Sequence, residues 1–140
     1  HNLPVAWDEL ENPCAVSMGN PHAVFFVPDC DAVALDRLGP EIEHDPLFPE
    51  RCNVNVATVV ARDRIRLRVW ERGVGETRAC GTGACASAVA AIRRKLVAAP
   101  VAVDLPGGRL MIDWQPGGRI TMSGPAVEVF RGEADWSRFG

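Results

Sequence analysis

Cys80-Gly81-Thr82-Gly83 is the segment whose residue types and spacing could do chemistry. A run of small, apolar helix formers from Gly83 to Leu96 follows it. Before it, the alternating pattern Arg64–Trp70 leads in through Glu71-Arg72-Gly73-Val74-Gly75-Glu76-Thr77. This order puts Cys80 in the loop at a helix N-terminus. Gly81 and Gly83 have no Cβ, so backbone N–H groups can approach a bound group closely. Those donors and the positive end of the helix dipole suit an anion such as a carboxylate. The same field is expected to lower the pKa of Cys80 and raise its thiolate fraction. One local device would then offer both a base and a seat for negative charge, and Glu71, Arg72 and Thr77 are near enough in sequence to line it. Small residues before a helix also serve close packing alone, and a cysteine there can be an inert core thiol. The segment is neither a Walker A loop, since no Gly-Lys-Ser/Thr follows, nor a GxGxxG fingerprint.

The elements that must position this segment are mostly strands. Turn signals recur about every ten residues. Ala15–Met18 and His22–Val27 read as strands flanking Gly19-Asn20-Pro21. Asp31 to His44 carries Leu35, Leu38 and Ile42 at helical spacing, which predicts a short helix capped at Asp31 and broken near Gly39-Pro40. Asn53–Ala61 and Arg64–Glu71 form a hairpin across Arg62-Asp63. Val101–Leu105, Arg109–Trp114 and Arg119–Ser123 follow, separated by Pro-Gly-Gly turns, and Ala126–Phe130 closes the set. The segment Gly83–Leu96 is apolar on every side, as expected of a helix buried all round. The expected fold class is α+β, with mixed, mostly antiparallel strands wrapped around one buried central helix.

The chain has 140 residues, with 15 basic against 18 acidic side chains and 47% hydrophobic types, which suits one folded domain. The slight acidity argues against a nucleic-acid binder, so the Arg64, Arg66, Arg68 stripe reads as the wet face of a strand. No apolar run is long enough to cross a bilayer, and the first residues lack a signal-peptide layout, so a cytoplasmic protein with no membrane partner is expected. Five cysteines, Cys14, Cys30, Cys52, Cys80 and Cys85, contain no CxxC pair, and no metal site is expected. Cys85, inside the helix, reads as core.

The run Glu71–Ala86 (ERGVGETRACGTGACA) closely resembles the second cysteine motif of diaminopimelate epimerases. MGNPHAV (Met18–Val24), FPERCNVNV (Phe48–Val56) and SGPAVEVFRGE (Ser123–Glu133) resemble three further motifs of that family, in its order. Proline racemases share Cys-Gly-Thr-Gly but usually carry Asp-Arg-Ser-Pro before it, where this chain has Glu-Thr-Arg-Ala. The resemblance implies a cofactor-independent enzyme of lysine and peptidoglycan-precursor biosynthesis, using no pyridoxal phosphate, that interconverts LL- and meso-diaminopimelate. In that family two cysteines face opposite sides of the substrate α-carbon. One thiolate removes its proton while the other thiol donates one to the far face. Cys80 matches one of that pair. Gly81 and Thr82 match the donors that hold the α-carboxylate. Asn20, Asn53, Glu71 and Arg72 match substrate-binding positions, and His22 and Glu71 match side chains that assist the cysteines.

The family's enzymes have two pseudo-symmetric halves, and the first carries the other cysteine in a Cys-Gly-Asn-Gly motif absent from this sequence. The resemblance therefore implies a single domain, residues 1–140, equivalent to the C-terminal half and inactive without the N-terminal domain. Diaminopimelate and that missing domain are the implied partners, a homodimer is also compatible, and an apolar face left by the missing half would favour self-association. Three other functions stay open: a proline racemase-type isomerase, a hydrolase with Cys80 as nucleophile and His22 as base, and a non-catalytic ligand-binding domain.

Overall fold

Arg64–Glu71 alternates charged and apolar residues, and its apolar half turns inward: Ile65, Leu67 and Val69 are fully buried. The computed structural model describes residues 3–124 and the strand Gly132–Ala134. In chain order these form β1 (Ala6–Trp7), β2 (Leu10–Glu11), β3 (Cys14–Ser17), β4 (Pro21–Phe26), a single 3-10 turn (Cys30–Ala32) and α1 (Leu35–Glu43). Then come β5 (Asn53–Ala61), β6 (Arg64–Glu71), β7 (Gly75–Thr77), α2 (Gly81–Arg93), β8 (Val101–Leu105), β9 (Gly108–Asp113), β10 (Ile120–Ser123) and β11 (Gly132–Ala134).

All strands but β1 and β2, which pair with each other, join one sheet of order β11-β10-β9-β8-β6-β5-β4-β3, with β7 pairing β6. Among the described residues only β4–β5 and β6–β8 run parallel. The sheet curls around α2, which packs against β3, β4, β5, β6, β8, β9 and β10. Nine consecutive helix residues, Gly83 to Ala91, are buried. The fold is therefore α+β, mostly antiparallel strands around a central helix, as the sequence predicts. The hairpin β5–β6 spans the predicted residues, with a register shift between Val59 and Ala61 just before its turn. The arginine stripe is salt-bridged: Arg64 to Asp104 at 2.7 Å, Arg66 to Asp31 at 2.8 Å and Arg68 to Glu76 at 2.9 Å.

Helix α1 covers the opposite face of β5 and β6, over a second core of Phe25, Leu35, Leu38, Ile42, Val54 and Val56. It departs from expectation twice. It begins at Leu35, not Asp31, because Asp29 caps the separate 3-10 turn by accepting the Asp31 N–H at 3.0 Å. It also runs unbroken through Pro40. A residue before proline is kept from the helical region largely by its own Cβ, and Gly39 has none. A Cβ on Gly39 would in addition lie 2.5 Å from Cδ2 of Trp70, so the glycine lets the indole of β6 sit against the helix. The expected strand Ala126–Phe130 and most of the Ser123–Glu133 motif lie outside the described residues.

Candidate active site

Strand periodicity builds the floor of the site. Successive side chains alternate between faces, so in β6 Glu71 follows Ile65, Leu67 and Val69 onto the face that α2 covers. His22 of β4 is in register with Asn53 of β5, and Val24 with Asn55. Asn55 is in turn in register with Val69. His22, Asn53, Asn55 and Glu71 thus share one side of the sheet beneath the start of α2. Strand β7 completes the floor. Thr77, paired with Val69, donates its hydroxyl to Glu71 Oε1 at 2.9 Å and fixes that carboxylate.

Cys80 is the N-cap of α2. Its backbone is extended, and its Sγ accepts the Gly83 N–H at 3.3 Å, the part a serine or aspartate oxygen usually takes. The Thr82 hydroxyl lies 3.6 Å from the same sulfur. The amides of Gly81 and Thr82 fall in the first turn, where no intrahelical acceptor exists. Both residues are half-buried. Of the donors expected at this helix end, Gly83 is spent on the thiol, and the Gly81 and Thr82 amides have no hydrogen-bond acceptor among the described residues.

The expected low pKa of Cys80 is not what the surroundings produce. Burial pushes the thiol above its usual value, with the charge of the neighbouring Glu71 acting the same way. The contacts from Thr82 and Gly83 oppose this without cancelling it. Cys80 is 8% exposed and belongs to the main apolar cluster with Met122 and Val69. A sulfur that has lost water loses more than a helix end returns. It therefore rests as a thiol. Cys85 and Cys52 are pushed further, each to about 12, by burial.

His22 is 1% exposed, and burial lowers its imidazole to about 4. Its Nδ1 is 2.9 Å from Asn55 Nδ2 and its Nε2 is 3.2 Å from Asn20 Oδ1. Both ring nitrogens are thus engaged by asparagines, and among the described residues no hydrogen bond joins His22 to Cys80, so a Cys–His hydrolytic pair is not assembled. Asn53 acts as a brace: its Nδ2 donates to the Pro21 carbonyl at 3.1 Å, and its Oδ1 accepts the Arg72 N–H at 2.8 Å. It locks the Asn20 turn to the Glu71-Arg72 corner. The exposed Arg72 guanidinium donates to the Glu50 carbonyl at 3.0 Å. A cleft of about 310 Å³ opens beside Gly19 and Pro21, walled by Leu47 to Arg51, and none of the candidate site residues lines it.

Two contributors escape the sequence reading. Asn55 looks like the outward half of an alternating strand, yet both faces of β5 are covered there. Glu43 is a buried carboxylate accepting from Trp70 Nε1 at 2.9 Å and from the Gly73 N–H at 3.0 Å. It ties α1 to the corner that carries Glu71. An acid in the last turn of a helix opposes the dipole, and that misfit is the signal of a specific partner. Among the described residues no group of three or more His, Cys, Asp or Glu side chains is placed to hold a metal ion. None of the described helices is long and apolar enough to cross a membrane.

The family model for diaminopimelate epimerase matches residues 14–129. The chain belongs to the diaminopimelate epimerase family. A diaminopimelate epimerase of Sphingopyxis alaskensis is 67% identical over 139 residues, which cover 99% of this chain and 52% of that protein. One of Rhizorhabdus wittichii is 70% identical over 138 residues, 99% of this chain and 50% of that protein. The chain thus spans about half the length of these curated relatives. A phenazine biosynthesis protein of the PhzF family from Bacillus anthracis superposes with TM-score 0.54 at 19% identity, covering 77% of this chain and 37% of that one. A PhzF-family protein of Enterococcus faecalis gives 0.52 at 16% identity, over 69% and 34%. These two likenesses establish the fold alone.

Proposed function

We propose that these residues form one face of a cofactor-independent amino-acid epimerase that interconverts LL- and meso-diaminopimelate, equivalent to the C-terminal half of its relatives. The observation that carries this is Cys80 at the first turn of a buried helix, beside Glu71 and next to two amides the helix does not use. Bound substrate would rest its α-carboxylate on the Gly81 and Thr82 N–H groups. Negative charge developing on the α-carbon is spread into that carboxylate, so donors already aimed at it stabilise the carbanion without reorganising.

Cys80 rests as the proton-donating form. When a thiolate on the opposite face takes the α-proton, the Cys80 S–H proton passes to the carbanion and leaves a Cys80 thiolate, so one proton is taken and one given. In the reverse direction that thiolate removes the proton. Hydrogen bonds from Gly83 and Thr82 favour the thiolate once substrate covers it. Asn20 and Arg72 present donors for the oxygens of a diacid, and Asn53 holds the two segments that carry them.

The opposite thiol is assigned to a companion domain carrying Cys-Gly-Asn-Gly. The experiment measures meso formation and solvent-deuterium incorporation from LL-diaminopimelate, for the 140 residues alone and mixed with a polypeptide bearing that motif. Turnover only in the mixture, abolished by Cys80→Ala, supports the assignment. Robust epimerisation by this chain alone overturns the division of labour, and turnover that survives Cys80→Ala overturns the role of Cys80.

A further inference from the structure

Asn55 is fully buried in the middle of β5, and only half of its carboxamide is satisfied. Its Nδ2 lies 2.9 Å from His22 Nδ1, while its Oδ1 has no partner among the described residues. That oxygen faces the first turn of α2, where a Cβ added to Gly83 would sit 2.7 Å from it. The helix end carries partial positive charge, so the carbonyl end of the amide belongs there and the amino end belongs on the imidazole. An amino group can only donate. His22 Nδ1 must therefore accept, and a neutral ring then carries its single proton on Nε2. That nitrogen lies 3.2 Å from Asn20 Oδ1.

We infer that Asn55 is a positioning residue that holds His22 in the neutral Nε2–H tautomer. The chain of bonds runs in one direction, from Asn55 Nδ2–H to His22 Nδ1 and from His22 Nε2–H to Asn20 Oδ1. It ends by turning the Asn20 amino group away from the histidine, as a donor for a substrate oxygen. A buried, desolvated imidazole suits this arrangement, because a protonated ring would drive a second N–H against the Asn55 amino group. His22 then acts in the site as an N–H donor whose Nδ1 lone pair is already taken. The part played by Asn20 rests on the epimerase reading given above, whereas the tautomer of His22 does not.

The test is a long-range proton–nitrogen correlation spectrum of the 15N-labelled 140-residue chain at pH 7, with the His22 signals assigned through His22→Gln. The expected result is one neutral ring with its proton on Nε2. Asn55→Leu, which keeps the volume and removes the donor, is expected to shift His22 towards a tautomer mixture. Asn55→Asp, which supplies an acceptor, is expected to move the proton to Nδ1 or charge the ring. Backbone amide spectra report whether each variant folds. An Nδ1–H ring in the unmodified protein overturns the inference without any variant, as does an unchanged His22 signature in a folded Asn55→Leu protein. Neither result depends on turnover. Absence of epimerisation in the mixed-domain experiment, with the Nε2–H ring present, would sink the functional reading alone.

Discussion

The Sγ of Cys80 accepts the backbone N–H of Gly83 at 3.3 Å, so helix α2 is capped by the thiol to which the chemistry is assigned. Position of the sulfur and integrity of the helix start are one property. Gly83 is also where a Cβ would lie 2.7 Å from Asn55 Oδ1, 3.0 Å from Val69 Cγ2 and 3.2 Å from Sγ itself. All three neighbours are buried and none can swing into solvent. Gly83→Ala is expected to destabilise by about 1–3 kcal/mol through overpacking, despite the better helix propensity of alanine. Urea denaturation measures it. An unchanged or raised midpoint would show that the pocket floor is looser than these distances say.

Alkylation should distinguish the five thiols by access more than by acidity. Cys80 is the most exposed at 8%, with Cys14 at 4% and Cys30, Cys52 and Cys85 fully buried. Cys80 is expected to react first with iodoacetamide, but more slowly than a free cysteine, since its thiol is raised by burial and by Glu71. Glu71→Gln removes the charge and should speed the reaction at Cys80 at fixed pH. Peptide mass spectrometry after timed quenching reads both. Earlier modification of Cys14 would contradict the order of access, and a slower Cys80 in Glu71→Gln would contradict the electrostatics of the site.

What the sequence revealed and what it concealed separate along physical lines. The β5–β6 hairpin was legible to the residue because Arg62-Asp63 interrupts two alternating runs. The buried α2 was legible because no side of it is polar. Strand β7 was hidden: Gly75-Glu76-Thr77 is a strand only because β6 pairs with it, and a three-residue stretch opening on Gly73-Val74-Gly75 reads as loop. The α1 start is obscured because Asp31 resembles a cap, while the observed cap position, Ala34, makes no side-chain bond at all. The sign of the Cys80 shift is hidden from the sequence for a related reason. A helix field can be read from residue order, but the loss of water around a sulfur depends on Val69, Met122 and other residues remote in sequence.

His22 should make the protein acid-sensitive. Its folded-state value near 4 lies below the ordinary 6.5, chiefly through burial, with the charge of Arg72 acting the same way. Asn55 could favour a charged ring only by turning its amide over. As pH falls below 6.5 the unfolded chain takes up a proton that the folded chain refuses, so stability declines until about pH 4 and then levels for this group. A shift of this size corresponds to about 3 kcal/mol at most. His22→Gln, which cannot titrate, is expected to flatten the stability–pH curve across that window, measured by urea midpoints at half-unit steps. A slope equal to that of the unmodified protein would locate the acid sensitivity elsewhere.

Glu43 provides the complementary case. Burial alone would raise its carboxyl, but hydrogen bonds from Trp70 and Gly73, with the nearby His44 and Arg51, hold it below the usual range. Its contribution to stability is therefore present at neutral pH and lost as acid protonates it in the fold. Glu43→Ala leaves the Trp70 indole N–H and the Gly73 amide without their acceptor, at a cost of about 1–3 kcal/mol. Because Gly73 follows the Glu71-Arg72 corner, the same change should loosen the candidate site. Trp70 fluorescence and the alkylation rate of Cys80 should change together, and the stability deficit should shrink on acidification. A large loss of stability with Cys80 reactivity unaltered would mean that α1 supports the sheet without positioning the site.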